Sequence, residues 1–306
     1  MRRLLVTGQH GFVGSTLGDM LQRDPELRDW SLLATPQSLD LRDPHAVDAI
    51  VRQSSIPDAV IHLAAQSWVP DSFRDPAQTL AINIGGTLNL LQALQRCQFA
   101  GRMIYVGTGD VYGVVPEAAL PVNERHLPVP RNPYAVSKLA AEALCRQWSI
   151  TESIDIVLAR PFNHIGRGQS ARFVVSDFAR QIAAISQGRQ PPVVAVGDID
   201  VTRDFTDVRD VVRAYFALLE RGTRGEIYNV CSGNDRSVRS ILERLAQVAH
   251  VDVTVRIDAA RMRKAEQRRI RGDASKIRGA TGWQATTPLD DSLGAMLKFW
   301  EHEGNR

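Results

Sequence analysis

Thr7-Gly8-Gln9-His10-Gly11-Phe12-Val13-Gly14 follows a short apolar run, Arg3–Val6, and opens an amphipathic stretch, Phe12–Arg23. Its glycines are spaced GxxGxxG. Gly8 permits a tight turn, Gly11 lets the backbone approach a pyrophosphate, and Gly14 lets helix and strand pack closely. The pyrophosphate would then lie on the helix N-terminus, beside Phe12 and Val13. With 22 Gly in the chain the bare spacing carries little. Its place between a strand and a helix gives it meaning.

Short apolar runs alternating with amphipathic stretches continue from there, the pattern of parallel strands joined by helices. This predicts an α/β fold, a doubly wound parallel sheet of the Rossmann type. Strands are expected at Arg3–Val6, Ser31–Ala34, Leu39–Leu41, Ala59–Leu63, Arg102–Val106 and Ile154–Ala159. Helices are expected at Phe12–Arg23, Pro44–Gln53, Asp75–Cys97 and Pro133–Ile150. After Arg160-Pro161-Phe162-Asn163 the pattern loosens. There, helices are expected at Arg172–Gln187, Val208–Leu219, Ser237–Ala249 and Leu289–Trp300, and strands at Val193–Val196, Ile227–Val230 and Val253–Ile257. The expected division is a dinucleotide-binding domain over 1–162, to which 204–232 returns, and a smaller substrate domain over 163–306.

Hydrophobic residues at 44% and charged residues at 23% over 306 residues are ordinary for a soluble globular chain. A net charge of +3 is too small to argue for nucleic acid. The 3 Cys have no metal or CxxC spacing and read as reduced thiols of a cytoplasmic protein, with no metal site. The run after Arg2-Arg3 is cut by Thr7-Gly8, too short for an export signal. No apolar run approaches the ~20 residues of a membrane span.

Asn132-Pro133-Tyr134-Ala135-Val136-Ser137-Lys138 carries the chemistry. Asn132 can cap a new helix, and Pro133 suits its first position. Tyr134 and Lys138 then share one face. A nearby ammonium and the positive helix end are expected to draw the tyrosine pKa down towards the working range, making Tyr134 a general acid or base. At the end of the second strand, Ala34-Thr35-Pro36-Gln37-Ser38 offers no acid for an adenosine ribose diol and no arginine for a 2′-phosphate. The reading favours NADPH, with NADH tolerated, and sets Asp40 and Leu41 at the adenine.

Together with Val60-Ile61-His62-Leu63-Ala64-Ala65, these motifs resemble the extended short-chain dehydrogenases/reductases of nucleotide sugars. Thr108-Gly109-Asp110-Val111-Tyr112-Gly113, Arg131–Tyr134, Arg160–Gly166, Arg203-Asp204-Phe205 and Arg261–Arg271 narrow the resemblance to the GDP-6-deoxy-4-keto-D-mannose reductases, which make GDP-D-rhamnose. It implies that Thr108 hydrogen-bonds the C4 oxygen beside Tyr134 and that Lys138 also holds the nicotinamide ribose. Asn83 would maintain the proton relay. Leu63, Ala64, Ala65, Pro161 and His164 would line the cofactor. Ser67, Asn163, Arg172, Phe173 and Arg203 would meet the substrate, with Arg263 on the diphosphate and Glu266 on the guanosine ribose. A homodimer through the two long helices is implied as well.

The GDP-mannose 4,6-dehydratases share this scaffold and carry Thr-x-Glu, where this chain has Thr108-Gly109-Asp110. An acid one methylene shorter retreats from a carbon-bound proton, which favours reduction and leaves residual dehydration open. A 3,5-epimerase-reductase would need a cysteine beside His164, and none accompanies it. A non-catalytic NAD(P)-binding sensor is disfavoured by the presence of Thr108, Tyr134 and Lys138 together. The run Arg261–Arg271, six basic residues against one acid, suits a sugar diphosphate. Without interleaved aromatics it does not read as an RNA site, and the rest of the run is expected to be a solvated face.

Overall fold

The structure, a computed structural model, describes residues 1–52, 56–261 and 267–303. In chain order β1 (Arg2–Thr7) leads through the glycine turn into α1 (Phe12–Arg23), followed by β2 (Trp30–Leu32), α2 (Pro44–Arg52) and β3 (Ala59–His62). Next come α3 (Val69–Arg74) and α4 (Pro76–Leu80), then a single π turn, Ala81–Gly85, running into α5 (Gly86–Arg96). β4 (Arg102–Val106) precedes a 3-10 turn, Gly109–Tyr112, and α6 (Pro133–Thr151) precedes β5 (Asp155–Pro161) and β6 (Asn163–Ile165). The remainder is α7 (Val174–Ser186), β7 (Val193–Val196), β8 (Thr202–Asp207), α8 (Val208–Arg221), β9 (Ile227–Val230) and β10 (Asp235–Ser237). It ends with α9 (Val238–Val248), β11 (Thr254–Ile257), α10 (Ser275–Thr281) and α11 (Leu289–Glu303).

Six parallel strands form one sheet in the order β2-β1-β3-β4-β5-β9. Both faces are covered, which is why the strands read as unbroken apolar runs. Leu4, Val6, Ile61 and Val157 face one core with Leu17, Val211, Tyr215 and Leu218. Leu5, Val60, Met103 and Leu158 face the other, with Val47, Leu90, Leu94 and Ala141. Strand order reverses between β1 and β3, so a crevice opens outside their carboxyl ends, where such folds take ligands. Later segments build a three-stranded sheet, β10-β8-β6, and a two-stranded one, β11-β7. A third core, including Phe178, Ile182, Ile241, Leu245 and Leu293, joins α7, α9 and α11.

Three expectations are corrected. Leu39–Leu41 is not a strand: the chain leaves the sheet after the Leu33 amide bonds Leu4 O at 2.9 Å, and Arg42 turns back to clasp Asp40. The helix over Asp75–Cys97 is interrupted by the π turn, with Asn83 inside it. β6, β8 and β10 were not foreseen because Asn163-His164, Arg203-Asp204 and Asp235-Arg236 give them no apolar period.

Candidate active site

Gly8 has φ +76°, and a Cβ there would lie 2.8 Å from the Ala64 amide. At Gly14 a Cβ would lie 2.3 Å from Gly8 O. Both glycines therefore leave room that any side chain would fill, between the ends of β1 and β3. Gly11 begins α1 with no side-chain cap and no acid in the first turn, so the amides around Phe12 and Val13 remain for an anion. These residues fit a dinucleotide pyrophosphate. Phe12 stacks on His164 with ring centroids 5.9 Å apart and 4° between planes, joining α1 to β6. Burial lowers the His164 pKa, so this ring is neutral. Pro161 is buried at the end of β5, paired with Val230.

A buried chain of hydrogen bonds fixes the crevice floor, and sequence reading missed it. Thr87 Oγ1 donates to Asn83 O at 2.6 Å, so its oxygen must accept from His62 Nε2 at 2.9 Å. His62 Nδ1 is then the acceptor for Thr7 Oγ1 at 2.6 Å, and Thr7 accepts from the Ala64 amide at 3.3 Å. Every proton is accounted for only with a neutral His62. Burial, with Lys138 nearby, accordingly depresses its pKa to about 3.

Asn83 sits where the π turn aims its side chain across the site. Its amide oxygen accepts from the Gln66 amide at 2.8 Å, and its nitrogen donates to Gln66 O at 3.0 Å and to Ser137 Oγ at 2.8 Å. Ser137 in turn donates to Tyr134 O at 2.7 Å. Asn83 thus clamps the chain after Leu63-Ala64-Ala65 to the first turn of α6.

Asn132 caps α6 by accepting from the Ala135 amide at 2.7 Å, with Pro133 in the first helical position. Thr108 caps the facing 3-10 turn, its hydroxyl oxygen accepting from the Asp110 amide at 3.2 Å, and the same hydroxyl favours ionisation of Tyr134. Lys138 is buried one turn on, its Nζ 4.9 Å from the Tyr105 ring centre. Tyr105 also donates to Lys138 O at 2.9 Å, seating the helix on β4. The expected fall in the Tyr134 pKa is not seen. Burial first, and then the Asp110 charge, push it up, outweighing the opposing influence of the Thr108 hydroxyl. Tyr134 is therefore a protonated donor at rest. Burial lowers Lys138 to about 8, against the opposing pull of Cys145 and Glu142.

Asp110, in the 3-10 turn that Thr108 caps, is exposed. Partial loss of water around the carboxylate raises its pKa, against the opposing Arg203 charge. Arg203 donates to Thr202 O at 2.8 Å and to Gln267 O at 3.0 Å, so much of its guanidinium holds the basic segment itself. Trp68 meets Phe173 edge-on at 5.3 Å, and Arg172 approaches Asp71 at 3.5 Å, which brings the segment after Ser67 beside Arg172-Phe173. Asn163 is exposed at the start of β6, its backbone paired with Phe205. Asp40 is exposed and bound by Arg42, which lowers its pKa, whereas Leu41 is buried against Gly86.

Arg263 and Glu266 lie outside the described residues. The flanking arginines stay exposed or half-exposed, and each is ion-paired: Arg261 with Asp177, Arg268 with Asp198 and Arg269 with Asp235. Among the described residues no group of three or more His, Cys, Asp or Glu could hold a metal ion.

The family model described as GDP-mannose 4,6 dehydratase matches residues 31–296. A Pseudomonas aeruginosa protein named GDP-6-deoxy-D-mannose reductase is 52% identical over 300 residues, covering 98% of this chain and 97% of its own. A GDP-6-deoxy-D-talose 4-dehydrogenase from Aggregatibacter actinomycetemcomitans is 27% identical over 92% of this chain and 91% of its own. Among solved structures, RMD from Pseudomonas aeruginosa complexed with NADPH matches with a TM-score of 0.93 at 51% identity, over 99% of this chain and 100% of that one. Sequence and architecture thus agree over almost the whole length, and the chain belongs to the GDP-mannose 4,6 dehydratase family of extended short-chain dehydrogenases/reductases.

Proposed function

We propose that this protein is an NADPH-dependent ketoreductase that converts GDP-4-keto-6-deoxy-D-mannose to GDP-D-rhamnose. The observation that carries the reading is Tyr134 and the buried Lys138, one turn apart on α6, packed against the 3-10 turn that Thr108 caps. The relative at 52% identity supports the sugar class by its name. NADPH, when bound, supplies the hydride that reaches C4. Gly8, Gly11, Phe12, Val13, Gly14, Leu63, Ala64 and Ala65 would hold it. Tyr134 gives its hydroxyl proton to the C4 oxygen, Thr108 orients that oxygen, and the Lys138 ammonium stabilises the charge left on Tyr134.

Residues 1–162 with 204–232 would carry the cofactor, and the remainder the sugar nucleotide, with Ser67, Asn163, Arg172, Phe173, Arg203, Arg263 and Glu266 around it. A homodimer belongs to the reading, supported by exposed Phe73, Leu80, Val136 and Ile150 on α3, α4 and α6. So does a cytoplasmic location, supported by three buried free thiols, Cys97, Cys145 and Cys231. Among the described residues no helix is long and apolar enough to cross a membrane.

Dehydration of GDP-mannose is the second reading. It is favoured by Asp110, whose raised pKa beside Tyr134 suits a proton-transfer group. Tyr134→Phe tests the main reading: reduction should fall by about 10² or more while NADPH affinity stays within about twofold. A variant reducing the keto sugar at the wild-type rate would overturn the assignment.

A further inference from the structure

Glu142 lies one turn beyond Lys138 on α6, and both are 4% exposed. Arg160 on β5 donates through Nη2 and Nε to its two carboxylate oxygens, at 2.6 and 2.8 Å. The two side chains are 3% and 5% exposed, so this is a bidentate ion pair out of water. On its other side the Arg160 guanidinium stands 4.9 Å over the Tyr112 ring. Tyr112 ends the 3-10 turn that Thr108 caps, and its hydroxyl donates to Asn229 Oδ1 at 2.6 Å on the neighbouring strand. Between the two lies Gly107, where a Cβ would come 3.4 Å from Glu142 Oε2 and 3.1 Å from Ala159 O. The carboxylate is packed against the peptide just before Thr108.

From this we infer that Glu142 and Arg160 are positioning residues: the pair ties the helix carrying Tyr134 and Lys138 to the turn carrying Thr108 and Asp110, and its carboxylate keeps Lys138 charged. The inference rests on the catalytic reading of Tyr134 and Lys138. Stability does not account for such a pair, since a dehydrated ion pair is often no better than apolar packing of the same volume. Position does: one guanidinium touches both halves of the catalytic group. The groups facing Lys138 are Tyr134, Glu142 and Cys145 on its own helix, Tyr105 on β4 and His62 on β3. Burial keeps both tyrosines and Cys145 protonated and His62 neutral. That leaves Glu142, itself paired with the Arg160 guanidinium, as the negative charge among these groups.

The test is the pH dependence of kcat, at saturating NADPH and keto sugar, for Glu142→Gln and Glu142→Asp. With Glu142→Gln the alkaline limb should move about one pH unit lower, with NADPH affinity within about twofold of wild type. Glu142→Asp keeps the charge but cannot span both bonds. Its kcat should fall, with the limb within about 0.3 unit of wild type. If Glu142→Gln does not fold because Arg160 is left unpaired, Glu142→Gln/Arg160→Gln removes both charges and the tie between α6 and the turn, so its kcat should fall at least as far as that of Glu142→Asp, with NADPH affinity within about twofold of wild type. A wild-type limb in Glu142→Gln or, where that variant does not fold, a wild-type kcat in the double variant overturns the inference. Tyr134→Phe, run alongside, separates the two failures: if it stays active, the catalytic reading fails. If it is dead and the limb has not moved, only the role of the pair fails.

Discussion

Tyr134 rests protonated because burial and the Asp110 charge both disfavour tyrosinate, which suits a group that must give a proton to a carbonyl oxygen. Lys138 is the residue that titrates within reach of ordinary assays. Its pKa is lowered from 10.5 to about 8, so its charge is lost as pH rises through that value. Turnover should therefore decline above about pH 8, tenfold per unit at the steepest, measured as kcat at saturating substrates. A flat profile to pH 10 would contradict that role. His62 gives a stability prediction of definite sign. Its folded pKa of about 3 lies below the 6.5 of an exposed histidine, so the unfolded chain takes the proton first as pH falls. This contribution is complete above 6.5 and declines below it, by about 1.4 kcal/mol per pH unit, down to about pH 3. Denaturant unfolding at pH 7 and pH 5 should show wild type losing more stability than His62→Gln. Equal losses would mean that His62 is not held neutral.

Among the elements, glycines of opposite role give predictions of opposite sign. At Gly14 a Cβ meets Gly8 O at 2.3 Å and Gln9 O at 2.6 Å, both backbone atoms that cannot step aside. Gly14→Ala should lower Tm and weaken NADPH binding more than about tenfold, read by fluorescence titration. Gly294, inside α11, has nothing within 4 Å of a built Cβ. Gly294→Ala should stabilise by about 1 kcal/mol with kcat unchanged. The glycine turn and the start of α6 were legible because Gly8, Gly14 and Asn132-Pro133 are dictated by local backbone. The polar strands β6, β8 and β10 were not, since their pairing partners, not their own pattern, make them strands. The π turn escaped because the 3.6-residue period of Asp75–Cys97 runs through it. In the site, Thr108, Asn83, Tyr134 and Lys138 could be read from motifs. The Thr7–His62–Thr87 chain and the Glu142–Arg160 pair could not, because the first links residues up to 55 positions apart and the second joins a helix to the next strand.

At the scale of the whole molecule, Asp204 fastens the later segments to the six-stranded sheet. Fully buried on β8, it accepts from the Ser232 amide at 2.9 Å, Ser232 Oγ at 2.6 Å and the Gly233 amide at 3.0 Å, just after β9. The Gly272 amide reaches it at 3.3 Å from the chain beyond the basic segment. Asp204→Asn replaces a charged acceptor with a group that cannot accept on both sides, at a cost of about 1–3 kcal/mol. KM for the sugar nucleotide should rise about tenfold while NADPH affinity stays within about twofold. A loss confined to NADPH would place Asp204 on the wrong side of the cleft. The central claim, ketone reduction rather than water elimination, is tested most directly by giving the enzyme GDP-4-keto-6-deoxy-D-mannose with NADPH and, separately, GDP-mannose with catalytic NADP⁺. The expected result is one NADPH consumed per keto sugar, with GDP-D-rhamnose identified by NMR and the second reaction slow or absent. Turnover of GDP-mannose alone would contradict the account and make the protein a dehydratase.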